Sequence, residues 1–164
     1  HVCEAVEKLN AKPGNPSLTL TVIGDTGLDT EYINSFPFVE NKGLLPFEEA
    51  KALLYSSELF VQNSCFETFG LAPLEALACG CSILMSKNVG ALELFRRTDE
   101  ADVIENYEDA DEIASKISSL LQHGNAKKLL AELDKESISW EARTNQLSAK
   151  LAQLESDVQK YGKK

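Results

Sequence analysis

The chain has 164 residues, 43% of them hydrophobic, which is enough for one ordinary core and predicts a single domain over residues 1–164. Twenty-six acidic residues outnumber sixteen basic ones, and the formal charge of −10 disfavours binding to nucleic acid or to an anionic bilayer. No apolar run approaches the roughly 18 to 20 residues of a membrane span and no signal peptide opens the chain, so a cytoplasmic protein is expected.

Apolar spacing predicts the secondary structure in chain order. A helix at Val2–Leu9 precedes a buried strand at Leu18–Ile23, which stops at Gly24. The elements that follow are a short apolar segment at Phe36–Val39, a helix that begins at Phe47, a strand at Leu59–Gln62, a helix at Leu71–Cys79, a strand at Ser82–Met85, a short helix at Gly90–Phe95, a last strand at Ala101–Ile104, and helical periodicity from Ile113 to the end, with a long helix at about 138–160.

The strands are apolar throughout and alternate with helices, which favours a parallel sheet covered on both faces. The predicted fold is therefore a Rossmann-like, doubly wound α/β domain. Ligands of such sheets bind outside the carboxyl ends of the strands. The loops at Gly24, 63–70 and 86–90 all follow strands, so we expect them to gather at that edge.

The four cysteines lie inside or beside apolar segments, and both histidines are far from Cys79 and Cys81. The Cys79-Gly80-Cys81 spacing is too tight for a zinc knuckle, so no metal site is predicted. Reduced cysteines that fill core space are the expectation for a cytosolic protein.

Two glutamates bracket the entrance of the predicted helix at Leu71–Cys79. Gly70 allows a sharp turn, and the free N–H groups of residues 70–72 are suited to bind a diphosphate. Glu75, one turn into the helix, is placed to accept hydrogen bonds from ribose hydroxyls, and Glu67 from the hydroxyls of a second sugar. Spacing alone leaves open that both are ordinary surface carboxylates.

The segment Leu59–Glu93 resembles the donor-binding half of retaining GT-B glycosyltransferases (the glycosyl transferases group 1 family). The signature of that family is an acidic residue, Phe-Gly and a second glutamate, followed by Ala-x-Ala-x-Gly, a strand and a Gly-Gly-like turn. Its counterparts here are Glu67, Phe69-Gly70, Glu75, Ala76-Leu77-Ala78-Cys79-Gly80, Ser82–Met85 and Gly90-Ala91-Leu92-Glu93. The resemblance extends over nearly the whole chain.

The resemblance implies transfer of a sugar from a nucleoside diphosphate sugar to a saccharide, lipid or protein acceptor, with the anomeric configuration retained. Glu67 is the implied catalytic residue, in contact with the donor sugar. The implied donor-binding residues are Phe69, Gly70 and Leu71 for sugar and diphosphate, Glu75 for the ribose, Leu45 along the nucleobase, and Gly24, which keeps the neighbouring strand end open. No metal and no cofactor other than the donor substrate are implied.

The chain also departs from the family pattern. A first strand that ends in Gly-Arg, a lysine after it and the acceptor-binding N-terminal domain are absent from the sequence, so the chain is expected to be an inactive fragment of a two-domain enzyme. The full-length protein is expected to be cytoplasmic or peripheral at the membrane. The alternative is a non-catalytic subunit with the same fold, which binds a nucleotide sugar or stabilises an active partner. A dinucleotide-dependent oxidoreductase ranks lower, because the glycine motif at Gly24 is incomplete.

Apolar residues recur at steps of three and four along the last segment. They are Trp140, Leu147, Leu151, Leu154, Val158 and Tyr161, with Thr144 as an interruption. The interruption disfavours a coiled coil. The predicted long helix therefore carries an apolar stripe that lacks a partner, through which the isolated chain is expected to dimerise.

Overall fold

The computed structural model describes residues 1–14, 17–25, 27–136, 139, 141, 144–145 and 148–153. Within that part of the chain, strands alternate with helices as the sequence predicts. The strands are β1 (Leu20–Ile23), β2 (Val39–Gly43), β3 (Leu59–Gln62), β4 (Ser82–Ser86) and β5 (Val103–Ile104). The helices are α1 (Val2–Asn10), α2 (Thr30–Asn34), α3 (Phe47–Ser56), α4 (Ala72–Ala78), α5 (Ala110–His123) and α6 (Ala126–Glu132), with 3-10 turns at Gly90–Leu94 and Glu100–Asp102.

All strand pairs are parallel, which confirms the predicted fold class. The strands form two pieces of sheet, with β1 beside β2 in one and the order β3-β4-β5 in the other. In the second piece, β4 is central and all five of its residues are buried. The predicted α/β fold is therefore present, with its sheet divided between β1 and β3.

Two apolar clusters cover opposite faces of β4. Leu84 packs into a cluster with residues of α1 and α5, which also touches Leu20, Leu59 and Val61. Ile83 and Met85 pack into the other cluster, with residues of α4 and α6. Because successive side chains of a strand point to opposite faces, the continuous apolar run of β4 supplies both clusters.

The sequence was less informative about the edge at β2. The strand spans Val39–Gly43, whereas the apolar pattern placed this segment at Phe36–Val39. Phe36 packs in an edge-to-face contact with Tyr32 of α2, with ring centroids 5.2 Å apart. The central residues of β2 are polar and exposed, as an edge strand allows, so apolar spacing could not locate the strand.

The prediction for the C-terminal segment is confirmed in part. Helical periodicity beyond Ile113 corresponds to α5 and α6, which are separated by Gly124 and Asn125. Residues 148–153 are helical, but most of the predicted helix at 138–160 and most of its apolar stripe lie outside the described residues. Dimerisation through that stripe stays a prediction. No helix among the described residues is long and apolar enough to cross a membrane.

The Glu112 carboxylate of α5 binds the backbone of the loop between β5 and α5. Glu112 accepts hydrogen bonds from the backbone N–H groups of Glu105 (2.7 Å) and Asn106 (2.9 Å), and its carboxylate lies 3.0 Å from the Lys116 ammonium. Burial by itself would raise the pKa of Glu112, but these three donors outweigh it and lower the pKa. The carboxylate therefore stabilises the folded chain in its ionised form.

Glu112→Gln is expected to lower the free energy of unfolding by about 1.5–3 kcal/mol at neutral pH, since hydrogen bonds to a charged group contribute about that much. A lowered pKa means that this stabilisation is complete above the ordinary glutamate value of 4.5 and is lost as the pH falls through the folded-state pKa. Urea unfolding at a series of pH values should show the two proteins converging in acid. Glu31→Gln, at an exposed position on α2, serves as control and should show no such convergence.

Candidate functional site

The loops after β3 and β4 are joined through their backbones. Glu67 N–H donates to the Asn88 carbonyl (3.1 Å), and Gly90 N–H donates to the Glu67 carbonyl (2.9 Å). Ala91 N–H then donates to the Phe69 carbonyl at 2.6 Å. The predicted gathering of these two loops is therefore confirmed, and residues 67–69 are held against residues 88–91 along their length.

Side chains strengthen the same junction nearer the strands. The Ser86 hydroxyl accepts a hydrogen bond from Ser64 N–H (3.0 Å) and donates to the Ser64 carbonyl (2.6 Å). The Asn88 amide donates to the Cys65 carbonyl at 2.8 Å. Ser86 is almost fully buried, so this link is protected from competing water. Sequence reasoning missed it, because two separated serines carry no signal of contact.

Gly70 forms the turn between this junction and α4. Its φ of +80° favours glycine, and a Cβ added there would lie 3.2 Å from the Glu67 Cγ and 3.2 Å from the Val89 Cγ1. The Glu67 side chain thus lies against the turn, half-buried, where its Oε1 accepts long hydrogen bonds from Phe69 N–H (3.3 Å) and the Thr68 hydroxyl (3.4 Å). Bonds of that length are readily exchanged for a ligand hydroxyl.

The entrance of α4 leaves backbone donors free. Helix α4 begins at Ala72, with the buried Pro73 as its second residue, and the Leu71 carbonyl accepts the N–H groups of Leu74 and Glu75. The N–H groups of residues 70–72 find no acceptor among the described residues. Because α4 has only seven residues, these N–H groups matter more for anion binding than the helix dipole does.

Glu75 is the fourth residue of α4 and its side chain is exposed. None of the described residues forms a hydrogen bond or ion pair with its carboxylate. Glu67 and Glu75 therefore sit on either side of the turn at Gly70, the first half-buried and the second open to solvent. Neither side chain is sealed from solvent.

The other two predicted positions lie at the ends of β1 and β2. Gly24 N–H donates to the Gly43 carbonyl at 3.0 Å, so these two strand ends are tied to each other. Leu45 lines an open hollow of about 370 Å³ together with Lys42, Glu49, Ala52 and Leu53. Within the described residues, no hydrogen bond joins Gly24 or Leu45 to the Glu67 junction. They lie at the carboxyl ends of β1 and β2, which form a separate piece of sheet from β3-β4-β5, so the expectation that the Gly24 loop joins the other two stays a prediction.

Gly90 is the position whose importance the sequence understated. A Cβ at Gly90 would lie 2.2 Å from the Thr68 carbonyl oxygen, so the two loops approach too closely for any side chain. Ala91, which stands where the family has a second glycine, is fully buried, and no described non-glycine residue has a positive φ. Alanine is therefore unstrained at 91, whereas glycine is required at 90.

The described residues contain no group of three or more metal-binding side chains positioned to hold an ion. Lys87, the cation that follows β4, pairs with Glu105 at 3.5 Å. All four cysteines are free, and burial raises the pKa of the Cys3 and Cys81 thiols. The expectation that every cysteine fills core space is wrong for Cys65, which is exposed in the loop after β3.

Solved structures of known proteins share the fold of this chain. HepE of Anabaena, solved in complex with UDP and glucose, superposes with a TM-score of 0.62 at 19% identity over 92% of this chain and 44% of its own. Sucrose-phosphate synthase of Thermosynechococcus elongatus gives a TM-score of 0.57 at 23% identity over 95% of this chain and 43% of its own. The catalytic domain of cholesterol-α-glucosyltransferase of Helicobacter pylori gives 0.61 at 19% identity over 83% of this chain and 86% of its own. These likenesses confirm that the chain has the fold of a domain of GT-B glycosyltransferases.

Sequence comparison leads to the same group of proteins. A probable sucrose-phosphate synthase of Thermosipho melanesiensis is 29% identical over 125 residues, which are 71% of this chain and 28% of that protein. The chain thus spans little more than a quarter of this relative. The sequence model of glycosyl transferases group 1 matches residues 1–140. That match includes α1 to α6 and every candidate site residue, and the chain belongs to the glycosyl transferases group 1 family.

Proposed function

We propose that this chain is the donor-binding domain of a retaining glycosyltransferase that transfers a sugar from a nucleoside diphosphate sugar to a saccharide, lipid or protein acceptor. The observation that carries the proposal is the set of free N–H groups at residues 70–72 between two accessible carboxylates. Membership of the family and the solved relatives bound to UDP or UDP-glucose support it. UDP-glucose is therefore the first donor to test.

Each part of the donor has a counterpart in the site. The N–H groups of residues 70–72 would donate to the diphosphate, whose charge grows as the sugar departs. Glu75 would accept hydrogen bonds from both ribose hydroxyls. Glu67 would accept them from the donor sugar and hold it in place while the bond to the leaving phosphate breaks. Leu45 and the neighbouring hollow would lie along the nucleobase, and Gly24 would keep the strand end clear.

The transfer also needs partners for the charge of the leaving diphosphate. Among the described residues, Lys87, the cation that follows β4, is paired with Glu105. The charge of a departing diphosphate requires cationic or dipolar partners, and no metal is proposed for this role. We therefore expect that the chain alone binds a donor weakly and does not turn over, and that an N-terminal acceptor-binding domain completes the enzyme.

Glu75→Gln is expected to weaken UDP-glucose binding by at least tenfold, because a hydrogen bond to a charged group contributes about 1.5–3 kcal/mol. Calorimetry with millimolar UDP-glucose, GDP-mannose, ADP-glucose and NAD would measure this and identify the preferred base. Glu58→Gln is the matched control, since Glu58 is exposed at the amino end of β3, the opposite edge of the sheet, and should leave affinity unchanged. Binding of NAD in preference to every diphosphate sugar would refute the proposal.

An activity assay distinguishes a glycosyltransferase from a non-catalytic partner subunit. A coupled assay that detects release of UDP should show no activity for this chain alone. The same assay on a longer protein that includes the N-terminal domain should show transfer. Robust activity of the isolated chain would contradict the expectation of a fragment, and an inactive full-length protein that still binds the donor would favour the partner subunit.

A further inference from the structure

The loop that carries Glu67 has little apolar packing to fix it. Residues 63–66 connect β3 to Glu67, and each of them is half-buried or exposed. Phe66, the large apolar side chain next to Glu67, is 73% exposed. Because apolar burial does not anchor this segment, the position of Glu67 depends on the hydrogen bonds that the segment makes with the loop after β4.

The loop after β4 begins as a tight turn that is fixed to the sheet. Val89 N–H donates to the Ser86 carbonyl at 3.0 Å, which closes the turn, and Lys87 N–H donates to the Ile104 carbonyl of β5 at 2.9 Å. The Val89 side chain is buried in one of the two apolar clusters on β4. Asn88 lies between Lys87 and Val89, so its exposed side chain is carried on a firmly held backbone.

Asn88 binds the Glu67 loop at two points. Its side-chain amide donates to the Cys65 carbonyl at 2.8 Å, and its backbone carbonyl accepts from Glu67 N–H at 3.1 Å. The two bonds lie on either side of Phe66, so they hold the exposed part of the loop against the fixed turn. The Glu67 carboxylate makes long hydrogen bonds, of 3.3 and 3.4 Å, within its own loop. The backbone of Glu67 therefore determines where its carboxylate lies.

We propose that Asn88 is a positioning residue for Glu67: the Asn88 amide holds the loop so that the Glu67 carboxylate meets the hydroxyls of the donor sugar. This role rests on the proposed function, in which Glu67 contacts the sugar and residues 70–72 bind the diphosphate. Asn88 acts through the loop and not on the donor, since its amide is directed at the Cys65 carbonyl. Displacement of a ligand-binding group by about 1 Å is enough to impair its action strongly.

The serine link between the same two loops has a different character. Ser86 bonds both backbone groups of Ser64 and is 1% exposed, so its removal would leave buried polar groups without partners and lower the stability of the fold. Asn88 and Cys65 are exposed, and water can replace the hydrogen bond that is lost in Asn88→Ala. That variant is therefore expected to fold normally, with the Glu67 loop less firmly held.

The relative affinity for UDP-glucose and UDP tests the proposal, because Glu67 is assigned to the sugar that UDP lacks. NMR titration would measure both dissociation constants for the wild-type chain and for Asn88→Ala. The affinity for UDP should stay within about twofold of the wild type, because the diphosphate and ribose contacts are kept. The ratio of UDP-glucose affinity to UDP affinity should fall about fivefold, which is the factor that a typical hydrogen bond contributes.

Asn106→Ala is the matched control. Asn106 is also exposed, and its side chain accepts a hydrogen bond from Glu108 N–H at 3.1 Å in the loop after β5. Its substitution should leave both affinities unchanged. The Tm of Asn88→Ala and that of Asn106→Ala should each fall by no more than about 4 °C, as the loss of one exposed hydrogen bond allows.

A double-mutant cycle distinguishes positioning from a general effect on structure. Glu67→Ala should lower the same affinity ratio about tenfold, since it removes a charged acceptor of hydrogen bonds from the sugar. If Asn88 acts through Glu67, adding Asn88→Ala to Glu67→Ala should lower the ratio by less than about twofold further.

Three results would overturn the role of Asn88 and leave the proposed function intact. They are an unchanged ratio in Asn88→Ala, equal losses of UDP and UDP-glucose affinity in that variant, and an undiminished effect of Asn88→Ala in the Glu67→Ala background. A wild-type chain that binds neither ligand would refute the proposed function itself, and the positioning role with it.

Discussion

Gly90→Ala is expected to lower the free energy of unfolding by about 3 kcal/mol, at the upper end of the usual cost of overpacking. The added Cβ would lie 2.2 Å from the Thr68 carbonyl oxygen and 2.9 Å from its carbonyl carbon, and both atoms are backbone. Relief requires the two loops to separate, which breaks the bonds from Gly90 to Glu67 and from Ala91 to Phe69. Urea unfolding monitored by circular dichroism would measure the loss.

Gly27→Ala is the control for this substitution, because a Cβ at Gly27 meets nothing within 4 Å and its φ lies outside the left-handed region. It should change the free energy of unfolding by less than about 1 kcal/mol. Donor binding should also fall in Gly90→Ala even where the protein remains folded, since the displaced loop carries Glu67. Wild-type stability in Gly90→Ala would show that the loops are not held as closely as described.

The parts of the fold that the sequence predicted are those with a strong apolar signal. Strand β4 was predicted at Ser82–Met85 and spans Ser82–Ser86, and the helical period predicted from Ile113 belongs to α5, which begins three residues earlier at Ala110. Burial imposes an uninterrupted apolar run on the strand and a helical period on the helix. Strand β2 and helix α2 were misplaced or missed. Both lie at the edge of the sheet, where exposure permits polar residues and removes the pattern.

The same distinction applies to the candidate site. Glu67, Gly70 and Glu75 are close in sequence, so local rules about glycine turns and helix entrances bring them together. The contact with residues 88–91 depends instead on the parallel register of β3 and β4, in which Gln62 pairs with Met85. That register follows from packing throughout the sheet, so no local motif reveals that Gly90 meets Thr68. The match to the family drew attention to Gly90 without its physical reason.

A polar network at the other end of β4 escaped sequence reasoning altogether. The Asn125 side chain accepts from Ile83 N–H (2.8 Å), and its amide donates to the Ile83 carbonyl (2.7 Å) and to Asp102 (2.8 Å). The Asn125 side chain thus makes the two hydrogen bonds with Ile83 that a residue of a neighbouring strand would make. Asp102 is fully buried and also binds Lys128, which pairs with Asp99 as well. Burial works to lower the pKa of Lys128, but its bonds to both carboxylates outweigh this and raise it.

Asn125→Leu is expected to lower the free energy of unfolding by about 3–5 kcal/mol. The substitution leaves the Ile83 N–H and carbonyl without partners inside the core and removes a donor from a buried carboxylate, and each such loss costs about 1–3 kcal/mol. Asn10 provides a matched comparison, because its side chain bonds both backbone groups of Leu18 in the same manner (2.7 and 3.0 Å) but is only half-buried.

Asn10→Leu should therefore cost about 1 kcal/mol, since water can reach the backbone groups that it releases. Urea unfolding of the two variants under identical conditions gives the difference directly. Equal losses of unfolding free energy would show that the burial of Asn125 and its bond to Asp102 contribute nothing beyond the two hydrogen bonds to the Ile83 backbone. A larger loss at Asn125 would show that a polar contact fixes the start of α6 to the sheet. The face of β4 opposite α1 would then be stabilised by the Asn125 amide as well as by apolar side chains.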